Sequence, residues 1–473
     1  MRRWILPIVL LVVAAVAAWQ AVSTDAALAE ETTAPPGSSA PAARTPLLSV
    51  RRVPEFLRLP VLRENLQNSL QALVADFPAQ SCLVVNLDGE QVFAENASLP
   101  LVPASAQKLL TAFAVYELVG AEHTWQTRLV TDAEVIDGVV QGDVWLIGGG
   151  DPLLAVSEYA NRYDPPHAYS DIERLADAVV ALGITEIAGA VMGDETRFDD
   201  VRYVPDWPER FTDAEQNQTG PLSALTVNDG FTSWDPENTA NSLSRAASDP
   251  AQFAAAFFDD LLEAREVVIR QSAASGEAPV GAGDLVEPLV SDVAQVVTDQ
   301  MMSVSDNMAA ELLLKEIGLE DSGTGTTLAG AAAVESLLRA EGFSTAETDV
   351  VDGSGLASEN RVSCQLLVEV LEASAGTPVH DGLAVAGESG TLEERLVNTI
   401  AEGKVRAKTG RLNEVGALAG TAETGDGSTI TFAWIGNTTD FYPVDDMIDI
   451  QDRLAIELVE YPEGPTAAVL GPL

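Results

Sequence analysis

Residues 103–118 read PASAQKLLTAFAVYEL. Pro103 ahead of an apolar run marks a helix start. Residues i and i+3 share a helix face, so the Lys108 amine lies one turn from the Ser105 hydroxyl. Only four lysines occur in 473 residues: Lys108, Lys315, Lys404 and Lys408. Lys108 precedes a segment apolar enough to be buried, and burial lowers a lysine pKa from about 10.4 toward neutrality. The helix N-terminus adds stabilisation for negative charge on the hydroxyl. A serine nucleophile with a lysine base is therefore available here. The three histidines, His123, His167 and His380, are scattered, and none sits in a G-x-S-x-G context. His123 reads as a structural residue at the end of the first motif helix; His167 and His380 fall in loop-like stretches and suggest no role. No His/Cys cluster has zinc spacing, so no metal is expected.

Two further motifs follow. Ser305-Asp306-Asn307 lies in MMSVSDNMAAELLLKEIG (301–318). The Ser305 hydroxyl is suited to pass a proton, and the Asn307 amide to hold both Lys108 and a substrate carbonyl. In isolation this is an ordinary helix N-cap. Lys408-Thr409-Gly410 lies in GKVRAKTGRLNEVGALAG (403–420), a strand-like stretch before a hairpin. Lys408 and Thr409 suit a substrate carboxylate, and Gly410 is expected to leave room for substrate backbone along a strand edge. Each motif is weak alone. In this order, on helix, loop and strand, they form the set found in class A β-lactamases and penicillin-binding proteins.

Outward from the motifs, Leu62, Leu66, Leu70, Leu73, Val74 and Phe77 recur at helical spacing. CLVVNL (82–87), Asp88-Gly89 and QVFAEN (91–96) predict strand, tight turn and strand. Residues 415–423 and 429–435 are strand-like around Thr424-Gly425-Asp426-Gly427, and 444–460 are helical in pattern. A helix at each end around an antiparallel sheet predicts an α+β fold.

Asp and Glu number 72 against 26 Lys and Arg, a formal charge of −46. Such a surface repels phosphate backbones and anionic lipid, so nucleic acid is excluded as a partner. Arg2 and Arg3, the apolar run Trp4 to Ala18 and Ala27-Leu28-Ala29 make residues 1–29 a cleaved signal peptide or an uncleaved N-terminal anchor. The chain is expected to act outside the cytoplasm, touching membrane only through that segment if uncleaved. Residues 30–53 are Pro/Ala-rich and predict an extended linker. In an exported chain Cys82 and Cys364 become disulfide candidates, and closing so long a loop stabilises by several kcal/mol in the chain-entropy model. Lys404, Arg406 and Lys408 alternate along one strand and share a face, with Arg411 following. They predict a positive strip in a negative protein, where an anionic peptide terminus is drawn in.

The three motifs resemble those of the penicillin-recognising serine hydrolases. Two hundred residues separate Ser105 from Ser305, far more than in a class A β-lactamase. Within that span, GDVWLIGGGDPLL (142–154) and GPLSALTVNDGF (220–231) are similar to segments of the class C low-molecular-mass penicillin-binding proteins. So are VDGSGLASENRVSC (351–364) and LAVAGESGTLEER (383–395). These are the D-alanyl-D-alanine carboxypeptidase/endopeptidases of peptidoglycan maintenance. The resemblance spans roughly residues 54–460. It implies a β-lactamase/transpeptidase-like domain, with helices on both sides of an antiparallel sheet, from 54–130 and 285–473. An accessory insertion would occupy 131–284.

The resemblance further implies that Ser105, activated by Lys108, attacks the D-Ala-D-Ala carbonyl, with Ser305 and Asn307 assisting. Lys408, Thr409 and Gly410 would bind substrate. The oxyanion hole would be the Ser105 backbone N–H plus that of Arg411 or Leu412. Peptidoglycan stem peptides would be substrates, β-lactams would acylate the serine, and no cofactor would be needed. Asp151 resembles a position that recognises the free amino end of a diaminopimelate side chain; a Gly-Asp-Pro turn explains it equally well. Asp352 and Ser354 in the DGSG sequence read as turn-formers. A β-lactamase or esterase on the same fold, and a catalytically idle wall-binding protein, are the competing readings.

Overall fold

The computed structural model describes residues 53–212, 217–235, 244–438 and 444–464. The expected signal or anchor segment 1–29 lies outside these residues, as does the linker except its last residue, Val53. Among the described residues no helix is long and apolar enough to cross a membrane.

The motif sheet has six antiparallel strands in the order Ala384–Val385, Val405–Leu412, Val415–Glu423, Thr429–Asn437, Gln80–Leu87, Glu90–Glu95. The hairpin between the last two turns at Asp88 (φ 50°) and Gly89 (φ 81°). Positive φ at both central residues matches the right-handed twist of the flanking strands.

Strand residues alternate between two apolar clusters, so both faces are buried. Leu83, Val85, Leu418, Phe432 and Trp434 point to one side, where they meet Leu62, Leu66 and Leu70 of helix Val53–Val74 and Leu454 and Leu458 of helix Val444–Glu460. Cys82, Val84, Ala417, Ala419, Ala433 and Ile435 point to the other. There they pack under helices Lys108–Ala114, Ala294–Val304, Asn307–Ser322 and Cys364–Ala373. The helices on that side carry the first two motifs, so the sheet is the floor on which they meet the third. Cys82 and Cys364 are disulfide-bonded, joining an inner strand to the first residue of a covering helix, with Cα atoms 5.9 Å apart.

Between the first two motifs the chain builds separate sheets. The largest runs Ala274–Ser275, Val191–Asp194, Val144–Ile147, Gln126–Thr131, Gly283–Asp284, with Leu289–Val290 also paired to Gln126–Thr131. Its apolar cluster, including Leu129, Leu146, Val191 and Phe258, is distinct from both clusters of the motif sheet. Helices Glu173–Ala181 and Pro250–Glu263 cover it.

Candidate active site

The Ser105 segment does not begin as an α-helix. Ala104–Gln107 is a 3-10 turn, and the α-helix starts at Lys108. Three residues per turn eclipse i and i+3, which sets Ser105 Oγ 3.2 Å from Lys108 Nζ. The chain enters this turn through Ala104 at φ 46°, a costly conformation for a residue with a Cβ. Gly355 leaves space for the bend: a Cβ there would lie 1.9 Å from the Ala104 carbonyl oxygen.

Lys108 is fully buried. Its ammonium has three protons to donate. They go to Ser105 Oγ, Asn307 Oδ1 at 2.7 Å and the Ser354 carbonyl at 2.9 Å. Burial lowers its pKa to about 8, against the opposing charges of Asp352, Glu311 and Asp306. An amine so shifted is a usable base near neutral pH.

Ser305 ends helix Ala294–Val304 in the left-handed region at φ 65°. Asp306 then caps the next helix, its Oδ1 accepting from the Ala309 N–H at 3.0 Å. The cap reading and the site reading therefore hold together: Asp306 caps while Asn307 faces Lys108. The other end of the Asn307 amide donates to the Gln218 carbonyl at 2.9 Å, so a residue of the long intervening segment fixes the amide's orientation.

Lys408 is also fully buried. Burial, then the neighbouring charge of Lys108, holds its pKa well below the usual lysine value. Its Nζ donates to the Thr409 carbonyl at 3.0 Å, and the Thr409 hydroxyl donates to Thr391 Oγ1 at 2.8 Å. Gly410 has a packing role as well. Its missing Cβ makes room for the nucleophile's own segment, since a Cβ would lie 2.7 Å from the Pro103 carbonyl oxygen and 3.2 Å from the Ala106 nitrogen. Strand parity separates the two oxyanion candidates. The Glu423 N–H donates to the Lys404 carbonyl, and the Ala386 N–H to the Val405 carbonyl. Even-numbered residues thus bond toward strand Val415–Glu423 and odd-numbered ones toward the opposite edge. On that edge strand Ala384–Val385 pairs only with Ala407 and Arg406. The Arg411 N–H faces the open edge, and the Leu412 N–H faces the hairpin partner.

Two adjoining hollows, of about 740 and 390 Å³, share Gln218, Ser305, Asn307 and Thr391. The smaller contains Ser105, Thr409, Gly410 and Arg411. The larger is acidic, with Asp229, Asp299, Asp306, Glu388 and Glu393 around Tyr163 and His167. Asp151 lines neither. It is buried, its Oδ1 accepts from the Leu153 N–H at 2.9 Å, and burial raises its pKa to about 6. Its bond to the Leu153 N–H is the Asx turn of the Gly-Asp-Pro reading. Lys404 and Arg406 share the Lys408 face, but Lys408 is buried and the other two line neither hollow; of the expected positive strip, Arg411 reaches the smaller hollow.

His123 stands edge-on to Trp125 with Nε2 3.6 Å from Glu316. Glu316 and Glu320 complete the group whose ligand atoms could hold a metal among the described residues. Arg197 already holds Glu316 there, with Nε 3.0 Å from Oε2.

Several residues at the site carry no sequence signal by type. The Ser354 carbonyl, the Gln218 carbonyl and Thr391 are brought in by tertiary contact. His167, without an expected role, stacks on Tyr163 with ring centroids 3.5 Å apart in the larger hollow. Glu311 is a buried charge whose position one helical turn after Asn307 could have been noticed.

A serine, a buried lysine and a facing Asn on a helix-covered antiparallel sheet define a penicillin-recognising serine hydrolase. The model of the D-Ala-D-Ala carboxypeptidase 3 (S13) family matches residues 66–242 and 235–457. The chain belongs to that family and is a serine-type D-alanyl-D-alanine carboxypeptidase. It is 31% identical to carboxypeptidase DacB of Mycolicibacterium smegmatis over 92% of this chain and 91% of that one. It is 29% identical to the D-alanyl-D-alanine carboxypeptidase of Actinomadura sp. (strain R39), over 86% and 87% respectively. In fold it matches the crystal structure of penicillin binding protein 4 (dacB) from Haemophilus influenzae. The TM-score is 0.70 at 20% identity, covering 83% of this chain and 99% of that one.

Proposed function

We propose that Ser105 is the acylated nucleophile of this peptidase and Lys108 its base. The carrying observation is the Lys108 ammonium, which ties Ser105 Oγ, Asn307 Oδ1 and the Ser354 carbonyl together within 3.2 Å. In the forward step the Ser105 O–H proton passes to neutral Lys108 while Oγ bonds to the D-Ala carbonyl carbon. The Ser105 and Arg411 N–H groups receive the oxyanion; losing one such donor typically costs about 3 kcal/mol of transition-state stabilisation. Ser305 relays that proton from Lys108 to the leaving amine as the C–N bond breaks, and Lys408 and Thr409 bind the terminal carboxylate. Water then releases the acyl group.

Peptidoglycan stem peptides are the substrates in this reading, and β-lactams acylate Ser105 by the same route. Cleavage of cross-links between stems is included, because the two hollows share four lining residues and so adjoin, which suits a branched chain. The acidic lining of the larger hollow suits a cationic stem side chain, the part first sought at Asp151. Residues 131–284 act as an insertion that buttresses the second motif, supported by their own apolar cluster. The enzyme works outside the cytoplasm, exported through residues 1–29.

Mass spectrometry of the protein after benzylpenicillin treatment tests the reading. A stoichiometric adduct is expected on Ser105, absent from Ser105→Ala. Saturating drug without an adduct overturns the assignment. Rapid turnover of the drug would favour a β-lactamase instead.

A further inference from the structure

Among the buried groups this mechanism does not use, Glu311 touches the turn that holds the base. Glu311 lies one turn beyond Asn307 on the same helix and is fully buried. Its Oε1 accepts from the Gly353 N–H at 3.0 Å and the Ser354 N–H at 2.7 Å. The carbonyl of that same Ser354 accepts from Lys108. The neighbouring Gly353 carbonyl accepts from the Thr111 hydroxyl at 2.8 Å, one turn after Lys108. Glu311 thus clamps the turn that clamps the lysine. Its Oε2 is buried without a hydrogen-bond partner, and the Ser354 side chain beside the carboxyl helps to hold its pKa down.

Asp352, on the same turn, is differently placed. It accepts from Trp207 Nε1, the Gly355 and Ala357 N–H groups and Asn360 Nδ2. Four donors compensate its charge, whereas Glu311 has two on one oxygen. The charged groups acting on Lys108 are Glu311 from its own helix, Asp352 from the turn, Asp306 from the second motif and Lys408 from the sheet.

We propose that Glu311 is a positioning residue for acylation: it fixes the 352–355 turn that holds Lys108, and its charge governs when Lys108 is free to accept the Ser105 proton. This rests on the reading of Lys108 as the base. Glu311 and Lys108 pull on each other. Burial and Asp352 raise the Glu311 pKa to about 8, and Lys108 opposes that rise. A negative Glu311 holds the proton on Lys108. With that charge removed by substitution, the amine loses its proton at lower pH.

The scarcity of lysine makes the test direct. With ε-13C-lysine labelling the spectrum contains four lysine signals, and Lys108→Arg identifies one. The Lys108 signal should titrate near 8 in the wild-type protein and about one pH unit lower in Glu311→Gln, because a nearby negative charge is removed. The acid limb of penicillin acylation should move with it. An unmoved lysine midpoint in folded Glu311→Gln overturns the proposal. If that variant does not fold, the wild-type Glu311 carboxyl carbon carries the test. It should titrate together with Lys108, and an ordinary midpoint of about 4.3 overturns the proposal. Lys108→Arg separates the two failures. If it acylates at the wild-type rate, the base assignment itself falls and takes this inference with it. If it is inactive and the Glu311→Gln midpoint stays put, only the inference falls.

Discussion

At the scale of the residue, the site is a set of buried groups whose ordinary ionisation has been displaced. Lys108 must be neutral to take the Ser105 proton, yet below a pKa of about 8 it is charged. The second-order rate of acylation by a neutral β-lactam ester should therefore rise with pH through about 8, falling tenfold per unit well below it. A flat profile from pH 6 to 9 would remove Lys108 as the base. The lysine was legible because lysine is so rare here and because an apolar run follows it. Its partners were not legible in the same way. The Ser354 and Gln218 acceptors are backbone carbonyls, which every residue carries. Asp151 shows the converse: of its two readings the Gly-Asp-Pro turn was legible locally, and a two-residue Asx bond forms it.

At the scale of the element, the active geometry depends on short approaches that only small residues permit. Gly410 on strand Val405–Leu412 touches the Pro103 carbonyl across the 3-10 turn that aims Ser105. Gly410→Ala places a Cβ 2.7 Å from that oxygen and 2.9 Å from Ala417 Cβ. Both neighbours sit on fixed elements, so the turn must shift. The expected cost is about 1–3 kcal/mol in stability and roughly a hundredfold in acylation, because positioning errors near 1 Å cost that much. Stopped-flow acylation with a denaturant melt separates the two; a wild-type rate would refute this role for Gly410. The disulfide is a second such link. Cys82→Ala with Cys364→Ala should lower stability by about 2–5 kcal/mol, read as a shifted denaturation midpoint with penicillin acylation retained. The strands and helices at the two ends of the chain follow their patterns, Val415–Glu423 and helix Val444–Glu460 included. The 3-10 start of the first motif did not show in the sequence, since it is imposed by contact with Gly355 and Gly410.

At the scale of the molecule, the second motif is where the separate parts bear on one another. Trp207 Nε1 reaches Asp352 at 2.8 Å, Asp199 pairs with buried Lys315, and Met308 and Leu312 share an apolar cluster with Phe198 and Trp207. The long intervening segment thus braces the helix that presents Asn307, a relation no local pattern encodes. The overall charge was visible from the start, and its consequence can now be stated. A formal −46 repels a peptide ending in a carboxylate. Of the cations at the third motif, Lys408 is buried, Lys404 and Arg406 line neither hollow, and Arg411 in the smaller one is too little to reverse the field at long range. Salt should therefore help. The Debye length falls from about 30 Å at 0.01 M to about 8 Å at 0.15 M. kcat/KM for an acetylated, carboxylate-terminated D-Ala-D-Ala peptide should rise severalfold over that interval, because association between like charges is slowed at low salt. An amidated peptide of the same sequence controls for salt effects on the enzyme itself. Lys404→Gln with Arg406→Gln should leave the salt slope within about twofold of wild type, since exposed charges away from the cleft act only as part of the screened total. A rate that falls with salt, and a slope abolished by those two substitutions, would instead restore local attraction along the strand as the guiding force.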